Sequence, residues 1–127
     1  MEYSVQAKEN SVTDGTGKEA GTYQRGSLVI ITSNPEDQWY LADNQGLDCN
    51  ADGLSVSDYT HARYTKDGTT INLGTMVGSI DDGNSFFPVG TICELSITSD
   101  NTQLKLYCWD SDKVNNSGAI NAYVQSR

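Results

Sequence analysis

Near its C-terminal end the chain places two carboxylates, Asp110 and Asp112, and two amides, Asn115 and Asn116, within seven residues and next to Ser117. Side-chain oxygens gathered in this way suit a hard cation such as calcium. Such an ion takes roughly six to eight oxygen ligands from carboxylates, amide and backbone carbonyls and water. A short loop held between two strands brings those oxygens together at small entropic cost. The same residue types are also turn formers, because they bond their own backbone and tolerate positive φ. Composition therefore leaves a cation site and an ordinary turn both open.

The flanking segments carry the loop. Leu104, Leu106 and Cys108 alternate with Lys105 and Tyr107, and Ile120, Ala122 and Val124 alternate with Ala119, Asn121 and Tyr123. A period of two marks half-buried strands. Tyr3, Val5 and Ala7 repeat the pattern, as do Cys93, Leu95 and Ile97, and Leu28 to Ile31 is a short apolar run suited to a buried strand. Strand-like character returns at Gln38 to Leu41, Thr69 to Leu73 and Thr75 to Ile80, with turn signals at Asn34-Pro35 and Asp81-Asp82-Gly83-Asn84. A helix is conceivable through Leu54 to Lys66, against the poor helix propensity of its Val, Thr and Tyr. About seven to nine short strands predict an all-β domain over residues 1–127, an antiparallel β-sandwich that is jelly-roll-like and galactose-binding-domain-like.

With 8 basic and 17 acidic residues, the chain carries a formal charge of −9. That balance disfavours nucleic acid and anionic membrane, which call for clustered Lys and Arg. No apolar run approaches a membrane span, and Met1-Glu2-Tyr3 opens no signal peptide. A cytoplasmic protein, or one secreted without a cleaved signal, is expected. Cys49, Cys93 and Cys108 are odd in number and form no CxxC, so zinc is not indicated. Cys93 and Cys108 are expected to be buried thiols, unpaired.

The order of residues in YCWDSDKVNNSGAINAYV resembles the end of the PA-IL-like family of bacterial lectins, calcium-dependent binders of galactosides. There a strand ends in Asp, a short loop follows, and an Asn-Asn-Ser-Gly or Asp-Asn-Ser-Gly run opens the last strand. The resemblance implies that Asp110, Asn115 and Asn116 hold a calcium ion, with backbone carbonyls from Ser111 to Val114 and from the segment after Trp39. Upstream, Gly26 to Ile31 and Gly74 to Ile80 resemble the family's early and middle core strands. The family spaces its Asp further from the Asn pair than here, and Asp112 is additional. The resemblance therefore makes Asp112 or its carbonyl a substitute ligand, or else the ion has been lost. His61, counted back from Gly74, falls where the family places a sugar-binding histidine, and Arg63 and Tyr64 follow it in the same loop.

Other candidates are weaker. Asp48-Cys49-Asn50-Ala51-Asp52-Gly53 opens like an EF-hand loop, but its twelfth position is Tyr59, with Asp58 one short. Trp39, Tyr40 and Trp109 offer rings on which a sugar's apolar face can pack. Trp39 reads as core, and Trp109, opposed to Cys108, reads as the rim of the site. No G-x-S-x-G, H-E-x-x-H or phosphate loop is present, and a Cys49–His61 dyad has no local support, so no enzyme is expected. The expected function is a calcium-dependent lectin for galactose-containing glycans outside the cell, acting as a homo-oligomer (dimer or tetramer) that gains avidity. The alternative is a carbohydrate-binding or structural interaction module of a larger protein that has lost calcium.

Overall fold

The alternating segments become twelve short strands among the described residues of the computed structural model, which are 1–42, 47–55 and 62–127. They are β1 (Glu2–Gln6), β2 (Lys18–Tyr23), β3 (Leu28–Ser33), β4 (Trp39–Tyr40), β5 (Asp48–Cys49) and β6 (Arg63–Lys66). Then come β7 (Thr69–Asn72), β8 (Met76–Ser79), β9 (Phe87–Pro88), β10 (Ile92–Ser96), β11 (Thr102–Cys108) and β12 (Ser117–Ser126). One sheet runs β10-β3-β12-β4-β5 with β1 also paired to β12, a second runs β2-β11-β8-β9, and β6 and β7 form a hairpin. Every strand pair is antiparallel. The expected all-β antiparallel sandwich is the observed one.

Period two decides what lies between the sheets. Val5, Ile31, Ile120, Ala122 and Val124 from the first sheet meet Ala20, Met76, Leu104, Leu106 and Cys108 from the second in one core. Each fully buried aliphatic side chain contributes about 1.5–3 kcal/mol by leaving water. The end of β11 is buried on both faces. Its Tyr107 joins Val77 and Trp109 in a second cluster, covered by Val12, Tyr64, Ile71 and Phe86. Phe86 stands edge-on to Tyr107 at 5.2 Å and to Trp109 at 5.5 Å.

Two local expectations are corrected. β3 is not buried on both faces: Val29, Ile31 and Ser33 point inward, while Leu28 and Ile30 are half-buried on the outer face. No helix covers Leu54 to Lys66 where that segment is described. Arg63–Lys66 is a strand that turns through Asp67 (φ 51°) and Gly68 (φ 83°) into β7. An Asp-Gly pair with positive φ at both positions is the two-residue hairpin turn, and this local signal outweighs a marginal helix propensity. The three cysteines are free, with Cys93 in the first sheet and Cys108 in the second.

Candidate functional site

Asp110 is positioned by what happens immediately before it. Trp109 accepts the Gly74 N–H at 2.7 Å and donates its own N–H to the Thr75 carbonyl at 3.0 Å. Its indole donates to the Tyr64 carbonyl at 2.9 Å. The Gly74 carbonyl in turn accepts the Trp39 indole at 2.8 Å and the Cys49 thiol at 3.7 Å. Only glycine fits there, since a Cβ would lie 2.4 Å from the Cys49 sulfur. At the far end of the loop, Ser117 pairs with Tyr40 and Gly118 with Trp39. Gly118 has φ +84° and a Cβ there would come within 3.1 Å of the Trp39 Cα, so glycine permits the close approach. Tyr40, the residue after Trp39, therefore stands in register with Ser117, directly after Asn116.

The side chains divide by depth. Asp110 is 6% exposed and Asn116 4%, whereas Asp112 and Asn115 are exposed. Asp110 Oδ1 accepts the Ser111 N–H at 2.7 Å. Burial pushes the Asp110 carboxyl above its ordinary range, with the Ser111 backbone, the Asn116 amide and the Asp112 backbone working against the rise and the Asp112 charge adding to it. Asn116 donates Nδ2 to the Ala7 carbonyl at 2.9 Å. Because that carbonyl only accepts, the amide nitrogen must face it, and Asn116 Oδ1 is left buried with no partner among the described residues. A buried acceptor left unmade costs roughly 1–3 kcal/mol. An orphan oxygen beside a buried carboxylate is a donor set that fits a hard cation. Asp112 Oδ1 accepts the Val114 N–H at 2.9 Å and Asn116 N–H bonds the Lys113 carbonyl at 3.0 Å, so the middle of the loop is an Asx-type turn.

The other expected residues are distributed differently. Trp109 is not at a rim. It is fully buried and holds the base of the loop, because the second cluster covers the face that alternation left open. Arg63 is exposed, but it begins β6 rather than lying in a loop, paired with Asn72. The ring of Tyr64 packs on Trp109 at 5.6 Å. His61 lies outside the described residues, as does Asp58. Trp39 is core, as expected. Tyr40, expected as a ring for a sugar, is 46% exposed beside the loop; the surface that the sequence did not single out is Val114, 68% exposed, and a lone valine among turn formers is the signal that was available.

Asp48–Cys49 is β5, and the rest of the EF-hand-like stretch, Asn50 to Gly53, is a turn. Asn50 Oδ1 accepts the Asp52 N–H at 2.9 Å, and Asp52 accepts the Thr91 N–H at 2.8 Å and its hydroxyl at 3.2 Å. Asp52 also lines an open cleft of ≈ 400 Å³ with Asn72, Thr75 and Ile92. The polar groups of that cleft already have protein partners: Asn72 Nδ2 bonds the Leu54 carbonyl and Thr75 Oγ1 the Asp52 carbonyl. Burial pushes the Cys49 thiol up to about 12, against a lowering from Trp39, so it carries no thiolate near neutrality.

No protein-family model and no curated protein matches this sequence. Among solved structures the chain is similar to the N-terminal domain of EclA, described as a PllA-like lectin. The match covers 99% of this chain and 95% of that one, at 17% identity and a TM-score of 0.64. At that identity the likeness is one of fold, and it extends over nearly the whole chain. The fold is similar to that of this PllA-like lectin domain.

Proposed function

We propose that this chain is a non-enzymatic carbohydrate-binding domain, a lectin that takes galactose-like sugars at the Asp110–Asn116 loop with calcium. The observation that supports it most is the buried Asn116 Oδ1, unpartnered among the described residues, beside the buried carboxylate of Asp110. The lectin fold of the matched structure supports the carbohydrate class. Asp110, Asn115 and Asn116 would hold the ion by side chains, joined by Asp112 or backbone carbonyls of the loop and by the Tyr40 segment. Bound calcium supplies coordination positions that two neighbouring sugar hydroxyls can complete. The residues do the rest. The Asp110 carboxylate accepts charge-assisted hydrogen bonds from hydroxyls, and exposed Tyr40 and Val114 offer apolar surface to a sugar ring. Galactose, an extracellular glycan target and a dimer or tetramer that adds avidity belong to this reading.

A thermal melt with excess calcium, with chelator, and with calcium plus galactose tests it. A ligand that binds only the native state raises stability by RT ln(1 + [L]/Kd), about 2.7 kcal/mol at a hundredfold excess over Kd. Calcium is expected to raise the midpoint and galactose to raise it further only in calcium's presence. A midpoint indifferent to calcium sinks the reading and leaves a structural module in its place.

A further inference from the structure

The loop that carries Asp110 and Asn116 leans on a segment far away in sequence. After β1 the chain folds into a tight loop over residues 7–16, and this loop runs along the end of β11. Val12 donates its N–H to the Cys108 carbonyl at 3.0 Å, and Cys108 donates to the Asn10 carbonyl at 2.9 Å. Three further bonds reach past Cys108 into the candidate site. Ala7 accepts the Asn116 amide, the Thr13 hydroxyl donates to the Asp110 carbonyl at 2.7 Å, and Lys113 Nζ donates to the Asp14 carbonyl at 2.8 Å.

The loop is built to be stiff. Asn10 accepts the Gln6 N–H at 2.7 Å and donates to the Thr16 carbonyl at 2.7 Å, closing the loop across its neck. Ser11 Oγ accepts the Thr13 N–H at 3.2 Å, which orients Thr13. Gly15 is enclosed, since a Cβ there would meet the Ser11 carbonyl oxygen at 2.4 Å and the Glu9 carbonyl oxygen at 2.8 Å. A side chain at 15 would force the loop open.

We infer that the 7–16 loop is the second wall of the cation site, and that Thr13 is a positioning residue that sets Asp110 through its backbone carbonyl. The inference rests on the cation-site reading. Asp110 is then held from two sides, by residues 74–75 through Trp109 and by Thr13 through its own carbonyl. The Ala7 carbonyl completes the wall by turning the Asn116 amide so that its oxygen is the free atom. Pre-organisation of this kind lowers the ordering cost of binding.

The experiment is calcium titration calorimetry on wild type, Thr13→Val and Thr13→Ser, with melts in chelator alongside. Thr13→Val keeps the shape and removes the donor; its calcium Kd is expected to weaken about fivefold, in line with one lost hydrogen bond, and Thr13→Ser to restore it. A role confined to folding would lower the midpoint in chelator and leave Kd unchanged, which overturns the inference. A wild-type chain that binds no calcium overturns the function reading and this inference together. Should Thr13→Val fail to fold, the wild-type amide spectrum decides: Thr13 and Gly15 resonances are expected to shift on adding calcium, and their indifference overturns the inference.

Discussion

Two aspartate-rich connections join strands of this domain and look alike on paper: Asp81-Asp82-Gly83-Asn84 after β8, and Asp110 to Asn116 after β11. In the first, both acidic groups have protein partners. Asp81 Oδ1 accepts the Ser79 hydroxyl at 2.8 Å and the Ser85 N–H at 2.9 Å, its other oxygen accepts the Ser85 hydroxyl, and Asp82 pairs with Lys105. These bonds, Ser85 foremost, hold the exposed Asp81 carboxyl below its ordinary range. In the second, the Asp110 carboxylate is buried and shifted the other way, and a neighbouring amide oxygen has no partner among the described residues. What separates a turn from a candidate site is burial and unfinished hydrogen bonding, since the residue types are shared.

The largest expected difference is in the response to calcium. Asp110→Ala should erase the calcium-induced rise in melting midpoint, while Asp81→Ala keeps it and lowers the midpoint by about 1 kcal/mol equivalent through its lost bonds. Melts of both variants with calcium and with chelator check this; a calcium response that survives Asp110→Ala and vanishes with Asp81→Ala would invert the assignment. Next in size is Asn116→Ala. It should weaken calcium binding at least about tenfold, as removing one inner oxygen ligand removes more than 1.4 kcal/mol, whereas Asn50→Ala in the satisfied turn changes it little. Titration calorimetry on the two variants measures the contrast.

Acid sharpens the comparison with the smallest signal. The raised Asp110 carboxyl means that, in chelator, the native state holds that proton more tightly than the unfolded chain. Its contribution to stability then rises as pH falls through the raised value and is lost as pH climbs back through it. Calcium requires the carboxylate, so in its presence acidification through the same window lowers stability. The lowered Asp81 contributes stability present above its unfolded value and lost as pH falls through the depressed one, with or without calcium. Melting midpoints of wild type minus Asp110→Asn across acidic pH isolate the first group; one sign in both calcium and chelator would break the contrast.

Much of the architecture was legible because alternation is a property of neighbours. Leu104, Leu106 and Cys108 could be assigned to the core without knowing their partners, and so could Ile120, Ala122 and Val124. Trp109 could not. Alternation correctly set it opposite Cys108, but whether that face meets water depends on Phe86, Tyr64 and Val77 arriving from elsewhere. β7 was legible in Thr69 to Leu73, but its hairpin partner β6 was not, although Asp67-Gly68 marks the turn between them, because helix propensity over Leu54 to Lys66 competes with that turn chemistry. In the candidate site, Asp110 and Asn116 stood out by type and order. The distinction between buried Asn116 and exposed Asn115 did not, and neither did Thr13, which lies 97 residues from the carbonyl it bonds.

Gly74 has a bearing on time as well as shape. Its single peptide neighbourhood ties Trp39, Cys49 and Trp109 to one point, and those side chains belong to the most deeply enclosed part of the molecule. Local opening that frees the Trp109 amide must therefore disturb the seat of the Trp39 indole as well. The amides of Gly74 and Trp109 should exchange with solvent deuterium at the slow rate of global unfolding, while those of Ser111 to Val114, on the same connection, exchange by local fluctuation. Solvent labelling would then draw a border between Trp109 and Ser111: on one side backbone that yields only with the whole domain, on the other backbone free to adapt to whatever it holds.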